Sequence, residues 1–341
     1  MNHSKTRENN LITDKLIDYL LINSSSITQS GLYRGKAGIA LTLFELSRHK
    51  HNGYLEEQAC ELMQESLLSN TSDIGFENGS AGIGYVLSYL IENKFIDADF
   101  NELFGDKTAA ITAELRRRDR SLSTINDMKR HAKILYFLRT LLRTEKCGED
   151  MKVLAGEMTA EVEGYLNKML SDNAIGTDAA FVTEAMNTYL SLCDADPSFE
   201  PDETVADNYV RAYNRNKTAS DFITGYYLER IATKTENSAL SAVATDNMVN
   251  AVSGLYPPAL SLRRRTDMLH LMYRDKTRFG TAIKSLESGL IDTQDEATAE
   301  KNLYAAVRGA DHMVGYGSGI ARLLLCQICR DSNGESRIAL L

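Results

Sequence analysis

A few residues in this chain have the types and spacing to do chemistry. Cys326 and Cys329 stand three apart with His312 upstream, a C-x-x-C spacing that zinc and redox sites use. Both thiols fall late in an apolar helical stretch, away from the N-terminal turn that would lower a thiol pKa, so they read as small buried hydrophobes. Asp178, Asp221 and Asp311 lie near predicted helix starts, where two carboxylates at the right separation would hydrolyse a glycoside. An aspartate so placed also accepts the free N–H groups of a first turn, and capping is the expectation carried forward. His131 sits within a predicted helix and is expected to make a local hydrogen bond.

The elements that must position these residues begin with a glycine-rich phrase written twice. Residues 31–40 carry Gly31, Gly35, Gly38 and Ile39, and residues 76–84 carry Gly79, Gly82 and Ile83. In each copy two glycines three apart strip side chains from one face of a first helical turn, so that another backbone can approach closely. Apolar stripes follow at helical spacing, Ile39, Leu43 and Leu46 in the first copy, Ile83, Val86, Leu87, Leu90 and Ile91 in the second. A repeated phrase of this kind announces a repeat architecture.

The phrase Gly-Leu-x-x-Gly-x-Ala-Gly-Ile, together with residues 82–103 and the run from Tyr89 to Asp97, resembles the lanthionine synthetase C-like (LanC-like) family. The resemblance implies an all-α fold, an α/α toroid (α/α barrel) of seven helical hairpins with glycine-rich inner-helix starts. It also implies a zinc ion that activates a peptide cysteine for addition to a dehydrated residue, held by a cysteine in a Trp-Cys-x-Gly segment of the fourth repeat and a Cys-His pair of the fifth. Zinc there would keep one position open for the substrate thiol.

This chain has no tryptophan, and none of Cys60, Cys147, Cys193, Cys326 and Cys329 is followed by histidine. Laid on the family pattern by Gly176 and Gly225, the ligand positions fall on Ala174, Ser220 and Asp221, a set with too few donors for zinc. The expectation is therefore no cofactor, with zinc only if Cys326, Cys329 and His312, or a partner chain, supply relocated ligands.

Weaker copies continue the pattern at roughly 35–50 residue intervals, as one hairpin per repeat requires. A third inner helix is predicted from Asn126, with Ile134, Leu135, Leu138, Leu141 and Leu142 on one stripe, a fourth near Ala174 and Gly176, and a fifth from Ser220 through Gly225. A sixth is placed at Asn250, Gly254, Pro257 and Pro258. The seventh, at Gly315, Gly317 and Gly319 leading into Ile320, Leu323, Leu324 and Ile328, has glycines two apart and is expected to differ in geometry. Amphipathic stretches from Glu56 to Leu68 and from Asp150 to Leu170 suit outer helices. The inner-helix starts at Gly35, Gly38, Gly79, Gly82, Gly176, Gly225, Gly317 and Gly319 are the expected peptide-binding positions.

A seven-hairpin toroid fills all 341 residues as one domain, residues 1–341, with residues 1–10 expected to be disordered. The polar N-terminus lacks a signal-peptide core, no window approaches a membrane span, and five cysteines without framework spacing suit a reducing compartment, so a cytoplasmic protein is expected. A net charge of −9 argues against nucleic acid, and the runs Arg116–Arg118 and Arg263–Arg265 read as solvated helix faces. The function expected is a zinc-free, non-catalytic LanC-like protein of lanthipeptide or other ribosomal peptide maturation, with a peptide substrate or a maturation enzyme as its partner. A divergent zinc-dependent lanthionine cyclase, a carbohydrate-active toroid using Asp178 or Asp221, and a structural repeat protein that binds through its outer helices remain the alternatives.

Overall fold

The computed structural model describes residues 2–117, 122–144, 148–171, 178–288, 290 and 313–332, with side chains from residue 13 onward. Ala174, Gly176, Asp311 and His312 lie outside that set. The fold is all-α: no strand forms among the described residues, and no described helix is long and apolar enough to cross a membrane. The chain divides into two compact units. The first unit contains α1 (Asn2–Ser24), α2 (Lys36–Lys50), α3 (Gly53–Leu68) and α4 (Ser80–Glu92). The second unit runs from α5 (Phe100–Arg117) through α6 (Ile125–Arg143), α7 (Glu149–Ser171), α8 (Ala179–Leu190), α9 (Leu192–Ala195), α10 (Glu203–Asn214) and α11 (Phe222–Thr235) to α12 (Ser238–Ser253). The chain then returns to the first unit with α13 (Leu262–Tyr273), α14 (Lys276–Glu287) and α15 (Ile320–Asp331). Helix α1 runs through the residues expected to be disordered.

Within the first unit α13, α15, α2 and α4 pack in series, with α14 against α13, α1 against α15 and α2, and α3 against α2 and α4. Residues 37–47 of α2 and 80–90 of α4 are buried without a break, so these helices are enclosed on all sides rather than along a stripe. In the second unit α6 packs on α7, α8 and α9, and α11 on α12 and α8.

Most helices are started by a side chain. Asn52, Asp178, Asp202, Asp221, Asn237, Ser261 and Asp275 each cap one, and Thr124 with Asp127 forms a capping box on α6. Helices α2, α4 and α15 are started differently. Their N-caps are Gly35, Gly79 and Gly319, all in extended backbone and without a side-chain cap. The first helical N–H instead reaches the carbonyl seven residues earlier: Lys36 to Gln29 (3.0 Å), Ser80 to Asp73 (2.8 Å) and Ile320 to Met313 (2.8 Å).

That common closure corrects the register expected for the last repeat. Its loop has the geometry of the other two, with Gly315 and Gly319 at the positions of Gly31 and Gly35, and of Gly75 and Gly79. Arg322 stands where the first two copies have Gly38 and Gly82. Gly317 is an additional glycine, and a Cβ there would lie 3.1 Å from the Tyr33 ring.

The three loops interlock in order. The Tyr33 N–H donates to the Glu77 carbonyl (2.6 Å), and the Tyr33 carbonyl accepts from the Gly317 N–H (3.0 Å). A Cβ on Gly38 would lie 1.9 Å from its own loop's Leu32 carbonyl and 2.6 Å from the Tyr316 Cβ of the loop before α15. A Cβ on Gly82 would meet the Phe76 carbonyl at 2.0 Å and the Leu32 Cβ at 3.0 Å. Close approach, not backbone conformation, is therefore what requires glycine here.

Other expectations are corrected. The sixth start is a helix end: Gly254 is the C-cap of α12, and Pro257 and Pro258, which lack N–H donors, open a 3-10 turn before α13 begins at Leu262. Gly225 lies in the first turn of α11, where its lack of a side chain lets α12 approach, a Cβ there lying 2.7 Å from the Ala244 carbonyl. The run Arg263–Arg265 is no solvated face. Arg265 is buried and donates to the carbonyls of Leu286 and Ser288 (2.7 Å to the latter), closing the C-terminal end of α14.

Gly38→Ala and Gly82→Ala are each expected to cost at least about 3 kcal/mol, the upper end of overpacking penalties. Gly164→Ala, at an exposed site in α7 with nothing within 4 Å, is expected to gain roughly 0.5–1 kcal/mol. Urea titrations of the three variants check both expectations.

Candidate functional site

The carboxylates predicted at helix starts are N-caps. Asp178 accepts from the Ala180 N–H (2.9 Å) at the exposed start of α8. Asp221 is buried, and its Oδ1 accepts from the Thr224 N–H (2.9 Å) and from Asn187 Nδ2 (3.1 Å). Its own N–H donates to Asn247 Oδ1, which also accepts from the Tyr209 hydroxyl, both at 3.1 Å. Asn247 Nδ2 donates in turn to the Val243 carbonyl. This network joins α8, α10, α11 and α12, and each of its bonds positions a helix rather than a reactant. Ser220 is exposed, with its hydroxyl 3.1 Å from that of Tyr213.

Ser220 and Asp221, which the resemblance puts at ligand positions, do not fit zinc. Asp221 commits one oxygen to capping, Ser220 points its hydroxyl at a tyrosine, and neither brings a thiolate or an imidazole. Among the described residues no group of three or more His, Cys, Asp or Glu side chains is arranged to hold a metal ion.

Cys326 and Cys329 are buried on α15, as expected of core cysteines. Burial, with the neighbouring Cys329 charge second, pushes the Cys326 thiol up. Cys329 has a partner that sequence reading missed: its Sγ lies 3.1 Å from Nδ1 of His270 on α13, whose Nε2 is 3.4 Å from an Arg274 nitrogen. No local signal marks His270, because the two residues are 59 apart in sequence. His131 makes the local bond expected of it, Nδ1 lying 2.9 Å from the Asp127 carbonyl.

The polar groups gathered at the glycine loops of the first unit form a second assembly. Arg322 is 2% exposed and pairs with Asp267, while its Nε donates to Thr266 (3.0 Å) and one terminal nitrogen to the Tyr316 carbonyl (3.4 Å). Arg263 donates to the Tyr33 hydroxyl (3.0 Å), with its guanidinium 4.9 Å from that ring's centre. The first two N–H groups of α2 and of α15, and the first of α4, are spent on loop carbonyls. Those N–H groups are therefore committed within the fold.

In both units tyrosines donate to carboxylates. Tyr89 bonds Glu45, Tyr273 bonds Glu287 (2.8 Å), Tyr189 bonds Glu163 (2.6 Å) and Tyr227 bonds Asp194 (2.6 Å). Burial raises the Glu45 pKa, against the lowering effects of the Tyr89 hydroxyl, Arg48 and His49. Comparison with models of protein families and with curated proteins finds no match for this chain.

Asp221→Ala leaves the Thr224 N–H and the Asn187 amide unpaired in a buried site and is expected to cost about 2 kcal/mol or more, against about 1 for Asp178→Ala. Paired thermal melts give the comparison. A carboxyl whose folded pKa is raised stabilises below its unfolded pKa and loses that contribution as pH rises through the folded value. Glu45→Gln is accordingly expected to exceed the native chain in stability at neutral pH, the difference vanishing below about pH 4.5 in a stability–pH series.

Proposed function

We propose that this chain is a LanC-like protein, a closed α/α toroid of helical hairpins, that binds a peptide or a peptide-maturation enzyme without zinc chemistry of its own. The observation that carries the reading is the shared seven-residue closure before α2, α4 and α15, with the first and last copies adjacent through Tyr33 and Gly317. A ring of repeats needs its last unit beside its first, and interlocking loops supply that contact. The donor set around Ser220 and Asp221 supports a binding role over catalysis, since a peptide thiol would find no metal there to lower its pKa. Peptide recognition would fall to polar side chains beside the loops, Arg263 and Tyr33 among them.

The test uses the purified full chain, elemental mass spectrometry and a dehydrated, cysteine-containing precursor peptide that keeps its leader. The expected result is zinc well below one per chain, no thioether formation, and saturable peptide binding by fluorescence anisotropy. One zinc per chain with thioether formation would replace this reading by that of a cyclase with relocated ligands. Failure to bind either the precursor or a cognate dehydrating enzyme would remove the peptide-maturation role.

A further inference from the structure

We infer that Cys329 is a peroxide-reactive thiol, positioned by His270 and resolved by Cys326 into a disulfide within α15. The inference goes beyond the binding reading above and uses none of its residues.

The geometry fixes what each group does. A guanidinium only donates, so the Arg274 contact makes His270 Nε2 an acceptor and places the ring hydrogen on Nδ1. That hydrogen points at the Cys329 sulfur 3.1 Å away, so the ring donates to the sulfur and holds it in place. Tyr89, on α4, also senses the Cys329 charge, though its neutral phenol does not oppose it. Cys193, which is also largely enclosed, is pushed up to about 12 chiefly by burial.

Access comes from position. Cys329 lies in the last turn of α15, which ends at Asp331, and terminal turns open locally at little cost. With hydrogen peroxide as the oxidant, the Cys329 sulfur attacks one oxygen, an S–O bond forms and the O–O bond breaks. The departing hydroxide leaves as water with the proton the thiol gave up, leaving a sulfenic acid. A neutral sulfenic acid no longer opposes ionisation of Cys326, although burial still does. The Cys326 sulfur then attacks that of Cys329, the S–S bond forms, the S–O bond breaks, and hydroxide leaves as water with the Cys326 proton.

The product cannot fit an intact turn. Cβ atoms three apart on a helix are about 5–6 Å apart, whereas a disulfide needs roughly 3.5–4.5 Å. Oxidation must therefore distort the end of α15, withdraw Cys329 from His270, and disturb the Arg330 carbonyl that accepts from Lys276 Nζ at the start of α14 (2.6 Å). A strained bond of this kind is readily reduced, as a switch requires.

The test is hydrogen peroxide titration of the native chain, followed by mass spectrometry of the peptide 323–330, which cleavage after Arg322 and Arg330 releases and which holds both cysteines. The expected product is about 2 Da lighter, restored by dithiothreitol, with Cys329 oxidising faster than Cys193. His270→Leu is expected to slow the reaction at least about tenfold, and His270→Asn, which keeps an N–H donor near Nδ1, to recover most of it. Cys329 reacting no faster than Cys193 in the native chain overturns the inference without recourse to any variant. A folded His270→Leu chain that oxidises at the native rate, or oxygen addition at Cys329 with no disulfide, overturns it equally.

Discussion

The structure of the first unit depends on backbone meeting backbone where no side chain intervenes. At Gly38 and Gly82 a loop carbonyl lies about where a Cβ would be, and the following contact is with the neighbouring loop. Because each loop closes on itself over the same seven residues, the helix it starts leaves in a set direction, and three helices set this way pack in series. The interlock also spends the first N–H groups of those helices internally, so that the feature which aligns the helix starts limits what they can offer a ligand.

Arg322 shows how one substitution within this pattern changes its physics. In the copies with glycine, the vacated volume is taken by the side chain that begins the neighbouring loop, Tyr316 at Gly38 and Leu32 at Gly82. In the last copy a long cation fills the equivalent position and reaches Asp267, Thr266 and the Tyr316 carbonyl in a site almost closed to water. A buried pair of this kind gains little net stability over a hydrophobic filling, but either charge left alone would be costly, so each requires the other. The tyrosine–carboxylate bonds obey a similar rule. Each keeps a buried or half-buried acid hydrogen-bonded, and at Glu45 and Glu163 desolvation still prevails and raises the pKa.

Repeated spacing in the sequence was enough for the all-α class, the glycine-led starts of α2 and α4, and the helices α6, α3 and α7. All of these follow from local rules of periodicity, glycine placement and capping that act within one or two turns. The same rules favoured capping for Asp178 and Asp221, and both cap. They misplaced the register of the last glycine loop, because alignment by glycine identity takes Gly317 as part of the pair, whereas backbone closure selects Gly315 and Gly319. They took Asn250–Pro258 for a helix start, because a glycine and two prolines punctuate a helix end as readily as a beginning. The burial of Arg265, the partner of Arg322, and the meeting of Cys329 with His270 depend on residues 21 to 59 apart, and no local signal carries them. Local conformation is set by nearest neighbours along the chain, but which polar groups share a buried volume is set only when separate helices pack, and there desolvation makes every unpaired partner expensive.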